Sequence, residues 1–121
     1  MIIQSKKVWI GGQFMPAQIE ISEDKIQRIY AYGEKPAEED YGERAILPGF
    51  IDIHTHGSYG FDTNDGEPSG LRNWMERIPE EGVTSVLPTT VTQMPDVLTK
   101  AVANVCLLYT SPSPRDSTSS R

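Results

Sequence analysis

Two residues carry the chemistry that this sequence presents most directly: His54 and His56, its only histidines, two apart in Phe50-Ile51-Asp52-Ile53-His54-Thr55-His56. In an extended strand side chains alternate between faces, so Asp52, His54 and His56 project to one side while Ile51, Ile53 and Thr55 project to the other. Two neutral imidazole nitrogens on one face can share a divalent cation. The single cysteine, Cys106, rules out a thiolate cluster, so any metal is held by His, Asp and Glu. Asp52, deeper on the same face, suits an acceptor that orients a histidine better than it suits a direct ligand. Two ligands do not complete a metal site, and a pair of solvated or hydrogen-bonded histidines is the competing reading.

A pair so placed needs a strand that ends at an accessible surface. Phe50 to His54 is a short apolar run between Pro48-Gly49 and the glycines Gly57 and Gly60, which predicts a buried strand followed by a tight turn. Leu71, Trp74, Met75 and Ile78 then fall at helical spacing, and Pro79-Glu80-Glu81-Gly82 ends that helix. Val83 to Leu87 is a second β-branched run, and Asp96 to Val105 resumes helical spacing through Val97, Ala101 and Val105. Strand, helix, strand, helix predicts an α/β fold with parallel strands, either an open doubly wound sheet or the start of a barrel. The end of such a strand is where active sites gather. The helical face of Leu71, Trp74 and Ile78 is expected to need further barrel or a partner for its burial. Ahead of this, Ile2 to Tyr32 alternates in short segments broken at Gly11-Gly12, Met15-Pro16 and Ser22-Glu23-Asp24, the pattern of a small antiparallel meander, with Trp9 and Tyr30 expected in its core. Gly33 to Glu43 is acidic and reads as an exposed loop.

Composition narrows the function classes. The 121 residues are 37% hydrophobic with a formal net charge of -6, and the basic residues are scattered, which disfavours nucleic acid as a partner. No apolar run approaches the roughly 18 residues of a membrane span and the N-terminus lacks the order of a signal peptide, so a cytoplasmic origin is expected. From Cys106 to Arg121 the composition changes to Ser, Thr and Pro without helical or strand period. Cys106 to Asp116 back-translates to DNA resembling a transposase mosaic end joined to a sequencing adapter. Residues 106–121 are therefore expected to be adapter-derived, and 1–105 to be a fragment of a longer frame.

The string Leu47-Pro48-Gly49-Phe50-Ile51-Asp52-Ile53-His54-Thr55-His56-Gly57 resembles the first barrel strand of the amidohydrolase superfamily. With Gly57-Ser58-Tyr59-Gly60-Phe61-Asp62-Thr63-Asn64-Asp65 and Glu80-Glu81-Gly82-Val83-Thr84-Ser85-Val86-Leu87-Pro88-Thr89-Thr90-Val91-Thr92, it is similar to the N-acetylglucosamine-6-phosphate deacetylases of that superfamily, over essentially all of residues 1 to 105. The resemblance implies a metal-dependent (β/α)8 hydrolase barrel begun by 47–105, its first two β/α units, after part of a small β-sandwich in 1–46. It implies hydrolysis of the N-acetyl group of N-acetylglucosamine 6-phosphate to glucosamine 6-phosphate and acetate. It makes His54 and His56 ligands of one or two divalent ions, zinc or iron. The family's catalytic Asp and a metal-binding Glu belong to segments that this chain lacks, so no catalytic residue is assigned. Asp62 and Asp65 are candidates for the sugar, with turn formation as the alternative. A phosphorylated amino sugar as partner and a homodimeric parent follow from the same resemblance. Cyclic-amide members place Arg or another characteristic residue where Ser58 stands, which weakens that substrate class. Another N-acyl substrate, or a non-catalytic binding module, completes the alternatives.

Overall fold

The computed structural model describes residues 1–110, so the expectation for 111–121 lies outside the described residues. Backbone contacts divide the chain into a unit of Met1–Pro48 and a second that begins at Gly49.

In the first unit, strands β1 (Ile2–Ile10), β2 (Gln13–Ser22) and β3 (Lys25–Ala31) form the predicted antiparallel meander in the order β3-β2-β1, except that β2 runs through Met15-Pro16, where a turn was expected, because both flanks pair with β1. Its hairpins are two-residue turns at positive φ. Gly11 and Gly12 lie at 60° and 88°, and Glu23 and Asp24 at 52° and 59°, the twist that joins adjacent antiparallel strands. The stretch read as a loop contains a short strand, β4 (Glu39–Asp40), and β5 (Ala45–Ile46) follows; both add to β1 in parallel. The core is Val8, Ala17 and Ile19. Trp9 was expected there, yet it is 41% exposed and meets Phe14 edge to face on the outer side, with centroids 5.0 Å apart. Tyr30 is half-buried, with its hydroxyl donating to Glu20 and Lys35 over its ring.

Gln18, paired with Gln4 across β1 and β2, is fully buried. Its amide donates to Gln4 Oε1 and to the Lys35 carbonyl at 2.7 Å each, and its Oε1 accepts from the Lys35 amide at 3.0 Å. Gln4 in turn donates to Asp40, whose carboxyl is held below the ordinary carboxylate range by the Gly42 amide, the Tyr32 hydroxyl and Gln4. This polar chain draws the segment after β3 back onto β1 and β2.

In the second unit, β6 (Phe50–Thr55) and β7 (Val83–Pro88) pair in parallel, with α1 (Pro68–Arg77) between them and α2 (Pro95–Thr110) after them. This is the predicted strand, helix, strand, helix order. Leu71, Trp74 and Ile78 are buried, and Phe61 joins them in one cluster with Met75, Val83, Val86, Val105 and Leu108 packed around it. The expectation that this face awaits an outside partner is thereby corrected: α2, β7 and the loop carrying Phe61 cover it. A 3-10 turn at Ile78–Glu81 ends in Gly82 at φ 80°, which returns the chain into β7. Two further readings change. Strand β6, expected to be buried, leaves Phe50, Ile51 and Ile53 exposed, because β7 is its only paired neighbour among the described residues. The helical period, read as ending at Val105, continues through Ala101, Asn104, Val105 and Leu108, so α2 crosses Cys106 and runs to Thr110. Among the described residues no helix is long and apolar enough to cross a membrane.

Candidate metal centre

His54 lies in β6, and His56 follows directly after its last residue, Thr55. Alternation brings both to one face: the imidazole centroids are 5.1 Å apart and the rings are perpendicular. Two imidazoles on one tetrahedral zinc, with Zn–N of about 2.0–2.1 Å, have ring centres about 5 Å apart, so the spacing admits a shared cation, as it does an ordinary edge-to-face ring pair.

The ring of His56 is oriented from across the sheet. Its Nδ1 lies 2.9 Å from the carbonyl oxygen of Thr89, just beyond β7. A carbonyl only accepts, so Nδ1 carries the proton and Nε2 keeps its lone pair for a metal. Thr89 itself is held where β6 ends, its amide donating to the Thr55 carbonyl at 2.7 Å. The backbone of His56 is fixed as well, because its carbonyl accepts from the Thr63 amide at 2.6 Å and from Thr63 Oγ1 at 3.0 Å. Thr63 is fully buried, which shields both bonds from water.

The loop between His56 and Thr63 is built for this closure. Gly57 turns at φ 127°, where a Cβ would overlap the Phe61 carbonyl. Tyr59 and Gly60 turn at φ 56° and 77°, and the Phe61 amide donates back to the Ser58 carbonyl at 3.1 Å. Tyr59 ties this loop to the far end of α1, with its hydroxyl donating to Glu81 and the Arg77 guanidinium 3.9 Å above its ring. The Glu81 carboxylate holds that hydroxyl above the ordinary phenol range.

Asp62 and Asp65 are brought together, though not on the histidines. Asp62 Oδ1 accepts from the Asn64 amide at 2.8 Å, and Asp65 Oδ2 accepts from the Asp62 amide at 2.9 Å, a reciprocal capping box on the 3-10 turn Thr63–Asp65. Asp52 accepts from the backbone amide of His54 at 3.1 Å, so its carboxylate meets the strand's backbone where an imidazole was expected. Among the described residues no group of three or more His, Cys, Asp or Glu side chains gathers to hold a metal, so the pair presents two donors.

Sequence reading takes Thr89 for a structural strand residue and does not single out Thr63 or Asn64, yet all three hold this site. Thr89 acts through its backbone carbonyl, and Thr63 through its amide as well as its hydroxyl. Asn64 exchanges two bonds with Val91, its Nδ2 donating to the carbonyl at 3.1 Å and its Oδ1 accepting from the amide at 3.2 Å. Backbone partners leave no trace in residue type; only the Asp-Thr-Asn-Asp run after a glycine loop signalled a turn.

Comparison with known proteins shows the family and the fold. Residues 45–119 match the model of the Amidohydrolase family. An N-acetylglucosamine-6-phosphate deacetylase of Bacillus subtilis is 48% identical over 62 residues, which is 51% of this chain and 16% of that protein. The human protein of the same name is 31% identical over 103 residues, 78% of this chain and 25% of that one. The fold is similar to that of the N-acetyl-D-glucosamine-6-phosphate deacetylase of Mycobacterium smegmatis, solved in complex with N-acetyl-D-glucosamine-6-phosphate, with a TM-score of 0.81 and 22% identity. That match covers 91% of this chain and 30% of the other, so the chain spans a quarter to a third of the human relative and of the solved structure, and less of the bacterial relative.

Proposed function

The chain belongs to the amidohydrolase family, and from that premise we propose that it forms the first metal-binding segment of an N-acetylglucosamine-6-phosphate deacetylase, which releases acetate and glucosamine 6-phosphate. The observation that carries the reading is the His54–His56 pair at the end of β6, with the His56 ring fixed in the tautomer that leaves Nε2 to a cation. In this reading the second unit opens a (β/α)8 barrel. The Met1–Pro48 unit contributes part of a small β-sandwich, and the remaining ligands and the catalytic carboxylate come from later strands of the whole enzyme.

A zinc or iron ion held there would polarise the substrate's amide carbonyl and acidify a water molecule. The residues of this chain do the positioning. His54 and His56 supply two neutral nitrogen donors on a strand, a more rigid mount than a loop. The Thr89 carbonyl removes the choice of tautomer, and Thr63 anchors the His56 backbone as the chain leaves the strand. Asp62 and Asp65 work in this reading through the turn they cap.

The test is the whole enzyme with His54→Ala or His56→Ala. Bound zinc or iron, measured by elemental analysis after dialysis, is expected to fall for each variant, and acetate release from N-acetylglucosamine 6-phosphate to drop by at least ~100-fold. Unchanged metal content in both variants would refute the assignment.

A further inference from the structure

Asn64 is more than a turn residue. Its carboxamide pairs with both the amide and the carbonyl of Val91, using one donor and one acceptor at 3.1 and 3.2 Å. Two residues before Val91 lies Thr89, whose carbonyl holds the His56 ring; one residue before Asn64 lies Thr63, whose amide and hydroxyl hold the His56 carbonyl. The bonds therefore close a ring: His56 carbonyl, Thr63, Asn64, Val91, Thr89 carbonyl, His56 imidazole. It joins two loops that are remote in sequence, one leaving β6 and one leaving β7, and His56 is gripped at both its backbone and its side chain.

We propose that Asn64 is a positioning residue for the metal centre, setting the affinity of His56 for its cation by locking the loop that carries Thr89 to the loop that follows His56. Without the clamp Val91 loses both bonds to Asn64, and Thr89 is left with restraints from the strand end alone, its amide donating to the Thr55 carbonyl and its hydroxyl to the Leu87 carbonyl at 3.0 Å. The imidazole then samples both tautomers and more than one orientation, and the fraction ready to bind metal falls. Outer partners of a ligating histidine typically change metal affinity by about 10–100-fold when removed. Asn64 acts one step further out, so its removal is expected at the lower end, about 10-fold. Asn64→Asp keeps the acceptor for the Val91 amide and loses the donor to its carbonyl, so it restores part of the effect.

The inference rests on the metal assignment above, and the experiment separates the two. Zinc affinity of the whole enzyme is measured by chelator competition for the unaltered protein, His56→Ala, Asn64→Ala, Asn64→Asp and Thr63→Val, with the melting temperature of each metal-free form alongside. The expected order of zinc affinity is unaltered, then Asn64→Asp, then Asn64→Ala, the last loosened about 10-fold. Thr63→Val, which keeps the volume and deletes only the hydroxyl bond to the His56 carbonyl, is expected to loosen zinc by a few-fold, and Asn64→Asp provides the reading of the clamp if Asn64→Ala does not fold. If His56→Ala loses zinc while Asn64→Ala or, failing that, Asn64→Asp binds it as tightly as the unaltered protein, the positioning role is overturned even where the melting temperature falls. If His56→Ala itself binds zinc unchanged, the metal assignment fails and the inference falls with it.

Discussion

At Gly57 the backbone adopts φ 127° and a Cβ would overlap the carbonyl of Phe61, whereas at Gly60, φ 77°, a Cβ would meet nothing within 4 Å. Gly57→Ala therefore combines backbone strain with a collision that no side chain can relieve, and a loss of at least about 3 kcal/mol is expected. Gly60→Ala meets only the left-handed conformational penalty, about 1 kcal/mol. Thermal melts of the two variants check the difference, and amide exchange at Thr63 is expected to accelerate in Gly57→Ala alone. Equal effects would mean that the loop can move away from Phe61. At this scale much of the site was legible. His54 and His56 stood out because nothing else in the chain binds metal as neutral nitrogen, and the strand period placed them on one face. The carboxylates were harder. Asp62 and Asp65 share a type with sugar-binding residues, and only the positions of the neighbouring amides showed that they cap their own turn.

Helix α1 was legible as an element because Leu71, Trp74 and Ile78 recur at its period, and its packing follows from the residues that close on it. Trp74, 1% exposed, lies against Phe61 with ring centroids 6.0 Å apart, and a Cβ on Gly70 would run into that Phe61 ring. Trp74→Ala is expected to destabilise the protein by about 3–5 kcal/mol, the loss found when a large aromatic leaves a packed interior. The exposed neighbour Asn73→Ala should change stability by less than about 0.5 kcal/mol. Chemical denaturation checks both, and similar midpoints for the two would show that α1 is not packed as described. The end of α2 was less legible. Cys106-Leu107-Leu108 has no polar face to mark a helix, so a change of composition at Val105 obscured a period that Leu108 continues.

For the whole molecule the decisive feature is the small parallel sheet. Phe50 is 60%, Ile51 68%, Ile53 72% and Leu87 54% exposed, an apolar surface spread over both strands. Two paired strands also leave backbone donors and acceptors along their outer edges, and such edges template further pairing. The 121-residue chain by itself is expected to self-associate and to bind a hydrophobic dye, with Ile53→Lys reducing both. Light scattering and dye fluorescence measure this; a monodisperse chain that binds no dye would show the sheet to be covered.

What the sequence alone determined is whatever depends on local period and residue type: the meander of β1 to β3, the order β6-α1-β7-α2, the shared face of His54 and His56, and the resemblance borne out by the family match. Strand and helix periods are properties of adjacent residues, so they can be read along the chain. The tertiary structure alone decided how the histidine is held. The Thr89 carbonyl that sets the His56 tautomer lies 33 residues away and acts through its backbone, as do the Val91 groups that Asn64 grips. Every residue carries a carbonyl and all but proline an amide, so which of them meets an imidazole depends on the fold that brings two loops together, and not on the type of the residue that bears them.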